Sequence, residues 1–424
     1  MSPASPSGSK PSFVKPETKS KNKKPGRKEG HKGTTRKKPN DNEINKTEEH
    51  KLNNCPICET KLEKKPKSKR ERIIIDIELP EDAETTQHVI YQYWCSKCKQ
   101  MIESVVTDAL PGFTIGINTI VYSAILHYCQ GMSISNIVKN LKVHGMKLSS
   151  GSLIGQWYAL AEILKPYYKE IQAKIRGSTE AVYADETGFR QKGKKFWIWT
   201  FSTKEESFFT IRKSRGSDVV LDVLGKVFHG ILVTDFWKPY LAVKSALRQW
   251  CIAHFLREFK KIEFRRKELP KEYHDFKKKT KRLFNDALRE SKVEWSTTDK
   301  RENAHKRFVK RLDSIVAKEY SDSDVNRLVK RLKKYRDGFF TFVIKNVDAT
   351  NNHAERIIRF AVILRKISFH TMSDKGSETM SILISVFKTL ELQGYDVFHE
   401  TLSRVKKEMI TNKYKKNEKN DSAA

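Results

Sequence analysis

The hydrophobic pattern of the chain changes near residue 178, and this change constrains the fold more than any other feature. Three segments in succession, EAVYADETGF, KKFWIWTFST and ESFFTIRKS, are rich in aromatic and β-branched residues and predict three strands. After them come a predicted helix, SDVVLDVLGKVF, a strand, GILVTDF, a second helix, YLAVKSALRQW, and an apolar segment at 250–252. This order predicts a mixed sheet whose first strands are antiparallel and whose later strands return through crossovers.

Such an element order is typical of an α/β, ribonuclease H-like fold. Residues from about 256 to 345 are dense in Lys, Arg and Glu at helical spacing and show no strand pattern, so they predict an all-helical insertion. We expect the whole domain, with its insertion, to span 177–405 and to be followed by a basic flexible tail at 406–424.

The charge of the chain points to a polyanionic partner. Lys and Arg total 83 against 51 Asp and Glu, a net charge of +32 over 424 residues, and nucleic acid is the commonest partner of such a protein. A ribosome-associated protein or a merely lysine-rich surface would carry the same charge. The sequence has neither a secretory signal nor a run of about 18 apolar residues. We therefore expect a soluble, cytoplasmic protein with no membrane partner.

The first 107 residues predict two regions. Residues 1–50 are rich in Lys, Pro, Ser, Gly and Asn, which predicts a disordered basic arm that either contacts DNA phosphates or is simply solvated. At 51–107, two C-x-x-C pairs flank strand-like segments, the pattern of a zinc ribbon with one structural Zn²⁺. A redox pair is the alternative, although it needs only one of the two motifs. The predicted zinc ligands are Cys55, Cys58, Cys95 and Cys98.

A helical region is predicted at 108–176. Ile134 and Leu141 belong to one apolar face that a glycine interrupts, and a second apolar stripe begins after Ser149. Two short amphipathic helices around a tight turn are typical of a helix-turn-helix that reads DNA. A plain helical hairpin, packed as a linker, has the same pattern, so both interpretations stand.

Two aspartates follow strands that are neighbours in the proposed sheet. Asp185 is placed at the end of the first strand, and Asp235 ends the strand ILVTD. Their carboxylates would lie side by side, which is unfavourable unless a cation neutralises them. Hard oxygen ligands favour Mg²⁺ or Mn²⁺. Taken singly, such residues are more often surface or capping positions, which is how Asp218, Asp222 and Asp348 are interpreted.

A third carboxylate, Glu355, lies in the predicted helix NNHAERIIRFAVILRKISF. Its apolar residues form one stripe, and Glu355, Arg359 and Lys366 share the opposite one. Two metals about 4 Å apart activate a water or 3′-hydroxyl on one side of a phosphate and stabilise the leaving oxygen on the other, while basic side chains hold the strand. We therefore predict catalytic and metal-binding roles for Asp185, Asp235 and Glu355, and DNA contacts for Arg356, Arg359, Arg365 and Lys366.

Several segments resemble, in order and spacing, the insertion-sequence-66 type of DDE transposase: YADET, TDFWKPY, CIAHFLREFKK, NNHAERIIR and SDKGSE. The resemblance covers about residues 25 to 405. It implies an Asp/Asp/Glu triad at the three carboxylates above, Mg²⁺ dependence, and binding to the terminal inverted repeats of a mobile element. Cys251 and His254 match the family's Cys-x-x-His segment, for which packing or support of the active site is favoured over a zinc site.

These expectations describe a DNA transposase that nicks double-stranded DNA at transposon ends and joins the freed 3′-hydroxyl to target DNA. We expect a homo-oligomer on paired ends, associated with a prokaryotic nucleoid, with accessory proteins of the element as further candidate partners. One alternative is a non-catalytic DNA-binding regulator, whose binding would survive loss of the carboxylates. Another is a ribonuclease H-like nuclease, which differs only in acting on RNA or branched DNA.

Overall fold

The computed structural model describes most of the chain from residue 83 onward, and these residues fall in the first of two units. A second unit, 15–82, is described at only four positions. No helix among the described residues is long and apolar enough to span a membrane. The described residues are 40, 42, 44, 47, 83–96, 100–293, 298–368 and 370–421.

Most of the predicted basic arm and three of the four predicted zinc ligands, Cys55, Cys58 and Cys98, lie outside the described residues. The fourth, Cys95, ends strand β1 (Gln92–Cys95), which pairs antiparallel with β2 (Gln100–Glu103). The zinc ribbon therefore stays a prediction.

The centre of the unit is a mixed sheet of five strands, with a helix crossing between the third and the fourth. Its elements are β3 Ala181–Gln191, β4 Lys194–Ser202, β5 Ser207–Arg212, α4 Ser217–Leu224, β6 Val227–Thr234 and β7 Lys244–Trp250. The spatial order is β5-β4-β3-β6-β7, with β3 to β5 antiparallel and β6 and β7 parallel to β3. Lys192 (φ 47°) and Gly193 (φ 74°) close the β3–β4 hairpin in a left-handed turn that suits the twist of the strands. The antiparallel opening predicted from the aromatic pattern is confirmed.

The segment YLAVKSALRQW was predicted to be a helix, and that prediction is wrong. It forms a short 3₁₀ helix, Lys238–Ala242, followed by strand β7. Ala, Leu, Lys and Arg favour a helix locally by about half a kcal/mol per residue. Parallel pairing with β6 and burial of Gln249 and Trp250 outweigh that preference. The apolar segment at 250–252 divides between β7 and the start of helix α5 (Ile252–Arg265).

Three helices precede the sheet: α1 Ile117–Tyr128, α2 Ile134–Val143 and α3 Ser150–Gly177. The hydroxyls of Ser133 and Ser149 cap α2 and α3 by accepting from a backbone N–H three residues on. The two predicted helices and the break between them are confirmed, but α3 has 28 residues and is not the short helix that was predicted. All three helices share one hydrophobic cluster with the sheet, so α3 joins the predicted helical domain to the sheet through a common core.

Helix α11 (Asp374–Leu392) covers the edge of the sheet along β5. Backbone N–H groups of alternate β5 residues donate to hydroxyls one helical turn apart on α11, such as Phe209 N–H to Ser385 Oγ at 2.8 Å. An edge strand otherwise leaves these groups to water or to another chain. The last helix, α12 (Val397–Asp421), buries Met409, so the predicted flexible tail from 406 is helical as far as the structure describes it.

The segment predicted to be a helical insertion contains helices and no strand in its described part. It has a hydrophobic cluster of its own, in which Phe255, Phe284 and Phe339 contact one another edge to face or tilted. After α5 its helices are α6 Lys271–Glu290, α7 Thr298–Val316, α8 Ser323–Lys334 and α9 Thr341–Ile344. Helix α10 (Asn352–Ser368) then returns the chain to the sheet.

Candidate active site

Asp185 lies within β3, and Asp235 directly follows β6, the neighbouring strand of the sheet. The parallel pairing of β3 with β6 matches Tyr183 with Val233. Continuing that register by two residues brings Asp185 beside Asp235 on the same face of the sheet. Asp235 was predicted to be the last residue of its strand, and β6 ends one residue before it, at Thr234. The prediction that Asp185 also ends its strand is wrong, because β4 extends the pairing of β3 as far as Gln191.

Glu355 comes from α10, which packs against β3 and β4. Apolar residues of this helix are buried, including Ala354 and Ile358. Glu355 is half-buried, and Arg359 and Lys366 of the same stripe are exposed. The amphipathic division predicted for this helix is therefore confirmed.

The three carboxylates lie close enough to affect one another electrostatically. Burial raises the pKa of Asp185 to about 8, and the charges of Glu186, Asp235 and Glu355 add to the rise. The backbone N–H of Glu186 donates to Asp185 Oδ1 at 2.9 Å and opposes it. Without a cation, the fold thus favours the protonated form of Asp185 at neutral pH, and a bound cation would reverse that preference.

Glu355 also contacts two residues of α5 within the motif CIAHFLREFKK. Arg257 Nη2 donates to both of its carboxylate oxygens, at 3.0 and 3.2 Å, and Arg257 Nη1 donates to His254 Nε2 at 3.0 Å. His254 Nδ1 lies 3.7 Å from Glu355 Oε1. Burial lowers the pKa of His254, and the positive charge of Arg257 lowers it further. Sequence reasoning missed Arg257, although its spacing of three from His254 places both on one side of a helix.

Asn351 ties together the elements that carry the carboxylates. It is fully buried. Its Nδ2 donates to the Ala184 carbonyl at 2.8 Å, its N–H donates to Cys251 Sγ at 3.1 Å, and its carbonyl accepts from the Glu355 N–H at 3.0 Å. Cys251 is thus a buried thiol that is hydrogen-bonded to the residue before α10, and the packing or site-supporting role expected for it stays a prediction. An Asn before a helix resembles an ordinary cap, so Asn351 gave no separate signal.

The sequence profile of the transposase IS66 family matches residues 112–379, more than half of the chain, and the match includes Asp185, Asp235 and Glu355. The chain belongs to the IS66 transposase family. No curated protein matches it. Membership gives this protein a role in DNA transposition as a DNA-processing enzyme of the DDE kind, and such transposases generally use a divalent metal.

The IS66 transposase carries a second ionic group, on the opposite face of β3. Glu186, whose side chain is 2% exposed, accepts from Arg215 Nε and Nη2 at 3.1 and 2.9 Å and from the Tyr240 hydroxyl at 2.6 Å. The guanidinium lies between the rings of Trp197 and Trp237, 4.3 and 4.0 Å from their centroids. Burial raises the pKa of Glu186, and the hydrogen bonds from Tyr240 and Arg215 oppose the rise.

This ionic group connects to Asp235 through Trp237. The Trp237 N–H donates to Asp235 Oδ1 at 2.9 Å, and its indole Nε1 donates to the Arg215 carbonyl at 3.4 Å. The loop after β6 is thus held from both faces of the sheet. Sequence reasoning missed Glu186 and Arg215, for which the second acid of YADET was the available signal.

The four basic residues of the transposase that were predicted to contact DNA all lie on α10, in two environments. Arg356, Arg359 and Lys366 are exposed. Arg365 is half-buried, and burial lowers its pKa. It donates to Thr187 Oγ1 at 3.2 Å and to the Gly188 carbonyl. Arg365 therefore joins α10 to β3, whereas the other three are available to a ligand.

The acidic side chains of the transposase suit a hard divalent cation, because carboxylate oxygens are the ligands that Mg²⁺ and Mn²⁺ prefer. The charged neighbours and raised pKa of Asp185 fit such a group. Glu355 could bind the cation once it has released Arg257, which donates to it in this structure. Within the described ranges, no group of three or more His, Cys, Asp or Glu side chains is arranged as a ready metal site.

Proposed function

We propose that Asp185, Asp235 and Glu355 are the catalytic carboxylates with which this transposase cuts and joins DNA. The main support is their convergence: the β3–β6 register, continued by two residues, aligns the two aspartates on one face, and the charges of Asp235 and Glu355 add to the rise that burial causes in the pKa of Asp185. Burial and neighbouring like charges that together shift a pKa so far are typical of functional sites.

We also propose that the catalytic core is ribonuclease H-like and spans 177–405. Support comes from the strand order, in which an antiparallel trio is extended by two parallel strands. The helix α4 crosses between the two halves, and a helix-rich segment separates β7 from α10.

The chemistry that this site would support is phosphoryl transfer between DNA strands. When bound, a divalent cation would activate the attacking oxygen and stabilise the leaving one. Asp185, Asp235 and Glu355 would hold it, while Arg359 and Lys366 bind the DNA backbone beside them. In strand joining, the 3′-hydroxyl of the element would lose its proton and its oxygen would form a P–O bond to a target phosphate. The bond from that phosphorus to the target's own 3′-oxygen would break, and this leaving oxygen would take up a proton. The number of phosphodiester bonds is conserved, so the step needs neither an external energy source nor a protein nucleophile.

The substrate that we propose is double-stranded DNA carrying the terminal inverted repeats of the element, held by a homo-oligomer on paired ends. The net charge of +32 supports a polyanionic substrate. The exposed basic residues of α10 support contact with DNA near the carboxylates.

Cleavage of labelled DNA from the ends of the element that encodes the chain, with Mg²⁺, tests the proposal. Asp185→Asn, Asp235→Asn and Glu355→Gln are each expected to lower the rate by more than about a hundredfold, beyond the loss typical of residues that only support a metal ligand. Asp222→Asn is the matched control, because Asp222 lies on α4 in an exposed pair with Arg212. Near-normal cleavage by any triad variant would refute the assignment, and cleavage of RNA or branched DNA in preference to these ends would redirect it to a nuclease.

A further inference from the structure

The contact between Glu355 and Arg257 has a chemical consequence for metal binding. Arg257 Nη2 bridges the two carboxylate oxygens, and His254 Nδ1 lies 3.7 Å from one of them. A carboxylate has about four acceptor positions, and this bridge occupies one on each oxygen. The positive guanidinium also repels a second cation at the same oxygens. Arg257 and a divalent cation therefore compete for Glu355.

The exposure of this pair indicates that it can open. The side chains of Arg257 and Glu355 are 46% and 28% exposed, and an ion pair so accessible to water is weak. The Glu186–Arg215 pair differs, because Glu186 is almost completely buried. A guanidinium binds phosphate with the same pair of N–H groups with which it binds a carboxylate. A DNA phosphate and Glu355 are thus alternative partners for Arg257.

We propose that Arg257, oriented by its hydrogen bond to His254 Nε2, holds Glu355 as a latch in the DNA-free enzyme, and that a backbone phosphate of bound DNA releases it. The phosphate takes the guanidinium, and the Glu355 oxygens become available to the cation. This inference rests on the proposed function, which assigns Glu355 to the metal site. DNA and metal then favour each other's binding. If Arg257 only oriented Glu355 for the metal, its removal would weaken metal binding instead.

Isothermal titration calorimetry of Mn²⁺ into the full-length, DNA-free protein tests the latch. The variant is Arg257→Gln, and the matched control is Lys260→Gln, which removes one positive charge from an exposed position on the next turn of α5. Arg257→Gln is expected to bind Mn²⁺ about threefold to fivefold more tightly than the control, a range set by the strength of a partly exposed ion pair. Arg257→Lys keeps the positive charge but not the guanidinium that bridges both carboxylate oxygens. Its affinity for Mn²⁺ should therefore lie between those of Arg257→Gln and Lys260→Gln.

Fluorescence anisotropy with a short labelled DNA duplex, in EDTA, tests the phosphate contact. Arg257→Gln should weaken binding and reduce the slope of log affinity against log salt by about one. Glu355→Gln, which removes the charge that competes for Arg257, should tighten binding.

The latch is overturned if Arg257→Gln binds Mn²⁺ no more tightly than Lys260→Gln, and the phosphate contact is overturned if the salt slope is unchanged. Asp185→Asn and Asp235→Asn separate this failure from failure of the proposed function. If they abolish Mn²⁺ binding to the otherwise wild-type protein, only the latch fails. If they leave it unchanged, or if no variant binds Mn²⁺, the metal site itself fails too.

Discussion

The buried pair of Glu186 and Arg215 should make a large and strongly coupled contribution to stability. Glu186 is 2% exposed, and three hydrogen bonds from Arg215 and Tyr240 satisfy its carboxylate. Arg215→Met would leave that carboxylate buried without its cation and would remove the stacking on two indole rings. The change therefore tests how much this pair contributes to the stability of the fold.

The expected cost follows from the exposure of the two partners. Removing one partner of a buried ion pair costs about 3–5 kcal/mol of unfolding free energy. Because Arg215 is 36% exposed, the lower end applies, about 3 kcal/mol for Arg215→Met. Glu186→Gln keeps the shape and loses charged hydrogen bonds, at about 1–2 kcal/mol. In the double variant no buried charge is left without a partner, so its cost should be about 2 kcal/mol smaller than the sum of the two single-variant costs.

Urea denaturation of the four proteins, followed by tryptophan fluorescence, measures this coupling. The effect of Arg215→Met should also increase with pH. The fold raises the pKa of Glu186, so the stability that protonated Glu186 contributes is lost as pH rises through that pKa. Loss of Arg215 removes a positive charge and raises the pKa of Glu186 further. If the costs of the two single variants add within about 0.5 kcal/mol, Glu186 and Arg215 are not coupled.

Three further predictions follow from other contacts. Burial raises the pKa of Asp185 to about 8, so the stability that protonated Asp185 contributes is present at pH 4 and is lost towards pH 8. In urea denaturation with EDTA, the unfolding free energy of Asp185→Asn relative to wild type should therefore increase between pH 5 and 8.5. A difference independent of pH would contradict this. Ser385→Ala leaves the buried Phe209 N–H without its acceptor and should cost about 1–3 kcal/mol of unfolding free energy. The control Ser314→Ala, at an exposed site, should cost less than about 0.5 kcal/mol. Equal costs would contradict the role of α11 in covering the edge of the sheet. Lys366→Gln should weaken DNA binding and lower the salt slope by about one in fluorescence anisotropy, and an unchanged slope would remove Lys366 from the DNA contacts.

The parts of the fold that the sequence predicted correctly are those in which local pattern and tertiary environment agree. Aromatic and β-branched residues are concentrated in β3 to β5, and most positions of those strands are buried or half-buried. Asp235 could be placed because an apolar strand ends directly before it. Glu355 could be placed because the buried stripe of α10 fixes which side of the helix it occupies.

The parts that could not be predicted depend on contacts between distant segments. The strand β7 has the composition of a helix, and only its pairing with β6 decides its conformation. Arg257 and Glu355 are 98 residues apart in sequence, and no local pattern relates them. Glu186 directly follows Asp185, but adjacent strand positions face opposite sides of the sheet, and its partner Arg215 comes from the loop after β5.

Anomalous scattering by Mn²⁺ in crystals of the DNA-bound protein would locate the catalytic cation. We expect anomalous density beside the carboxylates of Asp185, Asp235 and Glu355, and loss of that density in Asp235→Asn. Density found only elsewhere, or density at the triad that the substitution leaves unchanged, would contradict the claim that these three carboxylates hold the catalytic cation.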